Sequence, residues 1–105
     1  MDKIKLIEAI LSCNNNESSN DLWEIGKDYV IRTVTMIYIG KLEKVTEQEL
    51  LLSDCAWIPE TSRWNEFLTG KKPVEMEPYP NDVIIGRGAI LDATVYKEKL
   101  KREVI

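Results

Sequence analysis

The chain contains no histidine, which removes the commonest general base and the commonest metal ligand together. It has two cysteines, Cys13 and Cys55, far apart in sequence. Two thiols make neither a disulfide framework nor a zinc site, and such sparing use is expected of a reducing cytoplasm. No apolar run approaches the roughly 20 residues that a membrane-spanning helix needs, so no membrane association is expected. The N-terminus, MDKIKLIEAIL, carries acidic residues and no cleavage site, and does not read as a signal peptide. Positive charge is also short: 14 Lys and Arg stand against 18 Asp and Glu, for a net charge of −4. General nucleic-acid binding needs a basic face, and no cluster of Lys and Arg supplies one. The Gly86-x-Gly88 spacing is too short for a dinucleotide fingerprint, and no cofactor is expected. Cys55 without a histidine partner is a poor nucleophile. With no metal motif and no nucleophile elbow either, an enzyme is the reading with least support.

What is present is β-forming sequence. At 105 residues the chain is sized for one domain, 1–105, with a core that needs no covalent staples. Residues 30–58, VIRTVTMIYIGKLEKVTEQELLLSDCAWI, organise it. Val30, Ile31, Val34, Thr35, Ile37, Tyr38 and Ile39 fit a pleated surface. Neither face of that run is purely polar, so both are expected to be at least half covered. Gly40 interrupts the run where a bulge or sharp bend belongs. Lys41 to Val45 alternates as a strand with one wet face does, and Thr46 to Glu49 is a polar turn. Leu50 opens a return strand reaching Ile58. A long bent strand, a short turn and a return strand make the centre of a small barrel.

The flanks are simpler. Residues 2–13 predict a helix with Ile4, Ile7, Ile10 and Leu11 on one side. Residues 14–20, NNNESSN, read as a polar loop, and residues 21–26 as one helical turn or a short strand. Residues 59–80 form an insertion. Within it a helix is predicted over about 61–69, capped by Thr61 or Ser62 and stopped by Gly70, followed by an extended piece at 75–80. Val83 to Ile85 and Ala89 to Tyr96 predict two strands around Gly86-Arg87-Gly88, and residues 97–105 a charged tail free to fray.

Three segments carry a family resemblance. Ile39-Gly40-Lys41-Leu42 followed by Val45, then Leu50-Leu51-Leu52-Ser53-Asp54, and then Ile85-Gly86-Arg87-Gly88-Ala89-Ile90 together resemble the motifs of the Sm/LSm proteins. The resemblance covers residues 30–58 and 83–96. It implies a mainly β (α+β) fold: a small, strongly bent antiparallel SH3/Sm-like barrel with an N-terminal helix and a short helical insertion. It also implies an arginine, here Arg87, near a base or nucleotide. The loop Thr46-Glu47-Gln48-Glu49 lacks the aspartate and asparagine that help Sm proteins hold a base, and Gly86 is an added residue. The segments RTVTMIYIG, DCAWI and VIIGRGAILDA also resemble small proteins of bacteria and their phages.

Several side chains read two ways. Arg32, with Thr33, Thr35 and Tyr38 close along the strand, suits a phosphate or ribose site, or else pairs with a carboxylate on a wet face. Arg87 between glycines points at a ligand or a neighbouring subunit, or is merely solvated. Trp57 and Trp64, with Asp54 and Arg63 nearby in sequence, stack on a base or pack the short helix onto the barrel, as Phe67 and Tyr79 also would. Asp54 forms a buried pair with Arg32 or Arg87, or acts with a second carboxylate, for which Asp92 is the candidate. The ligand-binding set is therefore Arg32, Thr33, Thr35, Tyr38, Asp54, Trp57, Arg63, Trp64 and Arg87, with no catalytic or metal-ligating residue.

Anion-pairing, hydroxyl and stacking groups without a catalytic set predict a non-catalytic, cytoplasmic binding protein for a nucleotide-type small molecule. If phage-encoded, it would sequester a host defence signal. Sm-like barrels leave their last two strands with free edges, so the resemblance implies a homo-oligomer formed through Val83 to Ile85 or Ile90 to Val95. The competing readings are an Sm-like RNA-binding protein and a structural phage or scaffold subunit.

Overall fold

A computed structural model describes residues 22–105. The helix expected at 2–13 and the loop at 14–20 lie outside the described residues. The rest is mainly antiparallel β-sheet with one small helix. The elements are β1 (Asp28–Thr33), β2 (Ile37–Val45), β3 (Glu49–Glu60), α1 (Trp64–Leu68), β4 (Glu75–Pro78), β5 (Val83–Gly86), a 3₁₀ turn (Arg87–Ala89) and β6 (Ile90–Val95). The sheet runs β4-β3-β2-β1-β6, and β5 pairs with β3 beside β4. β3 is long enough to hold two partners on one edge, β5 along Glu49 to Leu52 and β4 along Ala56 to Glu60.

The apolar run at 30–39 is two strands rather than one. Val34, Thr35 and Met36 form the tip of a hairpin, with Val34 79% exposed. Thr33 makes the turn. Its backbone N–H donates to the Met36 carbonyl at 2.8 Å, and its Oγ1 accepts from the Met36 N–H at 3.0 Å. A hydroxyl that bonds its own backbone this way overrides the strand preference of its β-branched neighbours.

Gly40 does what its position predicts. Ile39 pairs with Ala56 and Lys41 with Ser53, so Gly40 alone faces two residues, Asp54 and Cys55. Asp54 takes the left-handed conformation of the added residue, at φ 47°. A Cβ on Gly40 would sit 3.2 Å from Cys55 Cα, Cys55 Cβ and Leu52 Cβ. The close approach of the strands at this bulge therefore requires glycine.

Both faces of the sheet are covered. Val30, Ile39, Ala56, Ile58, Phe67, Met76, Tyr96 and Leu100 form one core, closed by α1 and the C-terminal segment. Tyr29, Ile31, Leu42, Leu50, Leu52, Cys55 and Ile85 form the other, closed by β5 and β6. Neighbours Val30 and Ile31 thus serve opposite cores, as the alternation of side chains along a strand dictates.

The helix is shorter than its sequence predicts. Arg63 is its N-cap, and neither Thr61 nor Ser62 caps it through a side chain. Its end follows the prediction. Gly70 has φ 113°, its N–H bonds the Phe67 carbonyl, and Lys71 N–H bonds the Glu66 carbonyl. Residues 22–27 are neither helix nor strand. They form an irregular turn, held by Gly26 N–H on the Leu42 carbonyl and by Glu24 N–H on the Tyr29 hydroxyl.

The C-terminal segment does not fray. Ile105 and Met76 exchange backbone hydrogen bonds at 3.0 and 3.2 Å, and Leu100 is buried in the first core. Arg102 Nε donates to the Asp54 carbonyl at 2.8 Å, and its Nη2 lies 3.5 Å from Asp28 Oδ1. The charge-rich sequence conceals an apolar residue and an arginine that both face inward.

Candidate functional site

The nine residues singled out in the sequence fall into separate places. Arg32 and Asp92 are cross-strand neighbours on β1 and β6. Arg32 Nε donates to Asp92 Oδ1 at 2.8 Å, and a second guanidinium nitrogen pairs with Oδ2. The hydrogen bond to Asp92 raises the Arg32 pKa, and the same bond holds the Asp92 carboxyl below its ordinary range. The Arg32 guanidinium also lies 4.9 Å above the Trp64 ring. Of its two readings, the carboxylate pair is the one observed. Arg32 is therefore already neutralised, and Trp64 is covered on that side while packing on the first core.

Asp54 pairs with neither Arg32 nor Arg87. Its carbonyl and carboxylate face Arg102, with Oδ2 3.8 Å from Arg102 Nε. Sequence reasoning missed Arg102 because its place in the charged tail concealed the partner it meets across the sheet. Thr33 is occupied by the hairpin tip, Thr35 is exposed beside it, and Arg63 is exposed ahead of α1.

Arg87 fastens two loops together. Its backbone N–H donates to the Gln48 carbonyl and its Nη1 to the Thr46 carbonyl, each at 2.8 Å. The turn at 46–48 and the glycine-flanked turn at 87–89 therefore meet in space. Thr46 Oγ1 stiffens its own side of this junction by accepting from Glu49 N–H at 3.1 Å.

Tyr38 and Trp57 do come together. They are cross-strand partners on β2 and β3, so both rings leave the same face of the sheet. Tyr79, just after β4, joins them. Its N–H bonds the Cys55 carbonyl at 2.8 Å, and its ring stacks on Tyr38 with centroids 6.2 Å apart. Burial, and then the neighbouring Tyr38, push the Tyr79 phenol up. Tyr38 and Trp57 are half-buried and Tyr79 is 36% exposed, so three aromatic rings from adjacent strands share one accessible surface. Sequence analysis placed Tyr79 in the extended insertion. The signal for its role is a tyrosine between two prolines, Pro78 and Pro80, whose fixed backbone leaves the ring as the contact group.

Cys55 lies under this surface. Burial pushes its thiol up to about 12, against a smaller opposing effect of Arg102. A thiol so protonated is no nucleophile near neutral pH. Among the described residues no group of three or more His, Cys, Asp or Glu side chains could hold a metal ion. No helix among them is long and apolar enough to cross a membrane. No protein-family model matches the chain, and no curated protein or solved structure is similar to it at a meaningful level.

Proposed function

We propose that the protein is a non-catalytic binding module that captures a nucleotide-type small molecule, with the base seated on Tyr38, Trp57 and Tyr79. The observation that carries this reading is the convergence of those three rings on one accessible face. Base–aromatic stacking is worth about 1–3 kcal/mol per base and needs no fixed sequence context. The strand order β6-β1-β2-β3-β5, with a 3₁₀ turn joining β5 and β6, supports the small SH3/Sm-like barrel as the scaffold. Capture without turnover is the use such a site has, as in the sequestration of a nucleotide signal in the cytoplasm. Arg32 is left out of the proposed ligand set because it pairs with Asp92.

Calorimetry and thermal shift against mono-, di- and cyclic nucleotides, including ADP-ribose derivatives, test the proposal. A binder should be recovered intact after heat denaturation, and Trp57→Ala should weaken it by about ten- to a hundredfold. Arg32→Ala should change the affinity little. Binding that survives Trp57→Ala and Tyr79→Ala together would place the ligand elsewhere, and recovery of a cleaved product would make the protein an enzyme.

A second reading rests on a different observation. Arg87 joins the two loops that, on the Sm resemblance, would surround a base. If no nucleotide binds but single-stranded RNA does, and Arg87→Ala abolishes it, the RNA reading replaces the first.

A further inference from the structure

Tyr38, Trp57 and Tyr79 have a carboxylate for a neighbour. Glu77 of β4 stands directly opposite Trp57 in the ladder, and Trp57 opposite Tyr38, so all three side chains leave one face of the sheet. Tyr79 follows Glu77 by two residues, and its ring meets Tyr38 on that same face. Met76 is buried in the first core, and alternation along β4 turns Glu75 and Glu77 the other way. Glu77 is exposed and makes no ion pair or hydrogen bond among the described residues. β4 carries no lysine or arginine of its own. Arg102, at the Asp54 bulge, is already matched by Asp28 and Asp54. The aromatic surface is therefore bordered by negative charge that nothing described answers.

We propose that this face selects a positively charged base, a nucleotide whose ring is an N-alkylated purinium. The inference rests on the base seat proposed above and names what that seat prefers. An aromatic ring attracts a cation through its quadrupole, and tryptophan does so most strongly. A purinium ring is flat and cationic, so one group both stacks on Trp57 and answers the charge of Glu77. A neutral base answers the rings alone and leaves the carboxylate to water. A phosphate is repelled by Glu75 and Glu77, so the base end of the ligand, and not its phosphate end, lies toward β4. The net charge of −4 acts in the same direction, drawing cations toward the chain in preference to anions.

Two pairs of nucleotides test this by calorimetry on the full chain near neutral pH. The first pair is 1-methyladenosine monophosphate, whose ring is cationic, and the isomer methylated on the exocyclic nitrogen, whose ring is neutral. These isomers hold the same atoms, so the comparison does not turn on the added methyl group. The second pair is 7-methylguanosine monophosphate and guanosine monophosphate. In each pair the cation should bind at least about tenfold more tightly. Glu77→Gln keeps the size of the side chain and falls at an exposed position, so the fold stands, and both preferences should disappear. Trp57→Ala should weaken every member of both pairs. Equal affinity within either pair that binds would overturn the inference and leave the base seat standing. A preference for the cation that survives Glu77→Gln would overturn it too. Failure of all four nucleotides to bind would remove the base seat, and this inference with it.

Discussion

Tyr96 is 4% exposed, stacks on Phe67 at 5.8 Å, and has a hydroxyl with no hydrogen-bond partner among the described residues. An unsatisfied buried hydroxyl costs free energy that its ring does not recover. Burial also pushes its phenol up, the direction expected of a group without a donor to stabilise its anion. Tyr96→Phe should therefore stabilise the fold by about 1 kcal/mol, read as a higher denaturant midpoint at unchanged slope. A loss of stability would mean that the hydroxyl has a partner. Cys55 gives the pH counterpart. Its folded pKa lies near 12, above the ordinary 9.0, so the folded state holds the proton more tightly. That contribution is present in full below the ordinary value and is lost as pH climbs toward 12. Tyr79 and Tyr96 shift in the same direction, so the comparison must isolate the thiol. Between about pH 8 and about pH 10.5 the parent chain should lose more stability than Cys55→Ala does. Equal losses in the two chains would show that the thiol ionises freely.

The C-terminal residues act as an element although none of them is helix or strand. Arg102 ties their backbone to the Asp54 bulge, and Ile105 extends the pairing of β4 through Met76. The Arg102 side chain is 7% exposed, so truncating it removes buried packing together with its hydrogen bonds to the Asp54 and Leu100 carbonyls. Arg102→Ala should cost about 1–3 kcal/mol. Arg102→Lys should recover only part of this, because lysine has no planar fork to reach the Asp54 carbonyl and Asp28 together. Full recovery by lysine would reduce the contact to simple charge. The same region shows where the sequence was readable. The bulge at Gly40, the return strand, the end of α1 at Gly70 and the strands around Arg87 follow from local backbone rules, which act over a few residues. The hairpin tip at Val34 to Met36 escaped because β-branched side chains favour strands, whereas Thr33 decides the turn through its own hydrogen bonds. Arg102 on Asp54 and Asp92 on Arg32 were illegible for another reason. The partners are 48 and 60 residues apart, and only the strand register brings them together. The same register splits the candidate site, since Arg32 and Tyr38 leave opposite faces of a hairpin that the sequence presents as one continuous strand.

At the scale of the whole molecule, the question is which strand edge a second copy would use. β4 carries Glu75, Glu77 and Pro78, and part of its edge is occupied by Ile105. Charges, proline and a covering segment are the usual protections of an edge. β6 has a charge within it, Asp92, which pairs with Arg32 of β1. Among the described residues β5 has no charge within it and no segment over its edge. Its four residues are VIIG, and Ile84 is 64% exposed. Pairing β5 of one copy with β6 of the next would be head-to-tail and would build a ring or a filament. Pairing β5 against β5 is two-fold and closes at a dimer. A homodimer is therefore the expected assembly, weak because each copy contributes only four strand residues. Light scattering on the full chain should show its mass rise toward that of a dimer in the micromolar range. Ile84→Lys should leave a monomer with an unchanged melting temperature, since the side chain is already in water. A monomer at every concentration of the parent chain would remove the dimer alone. A ring of three or more copies would show that β6 takes a partner as well.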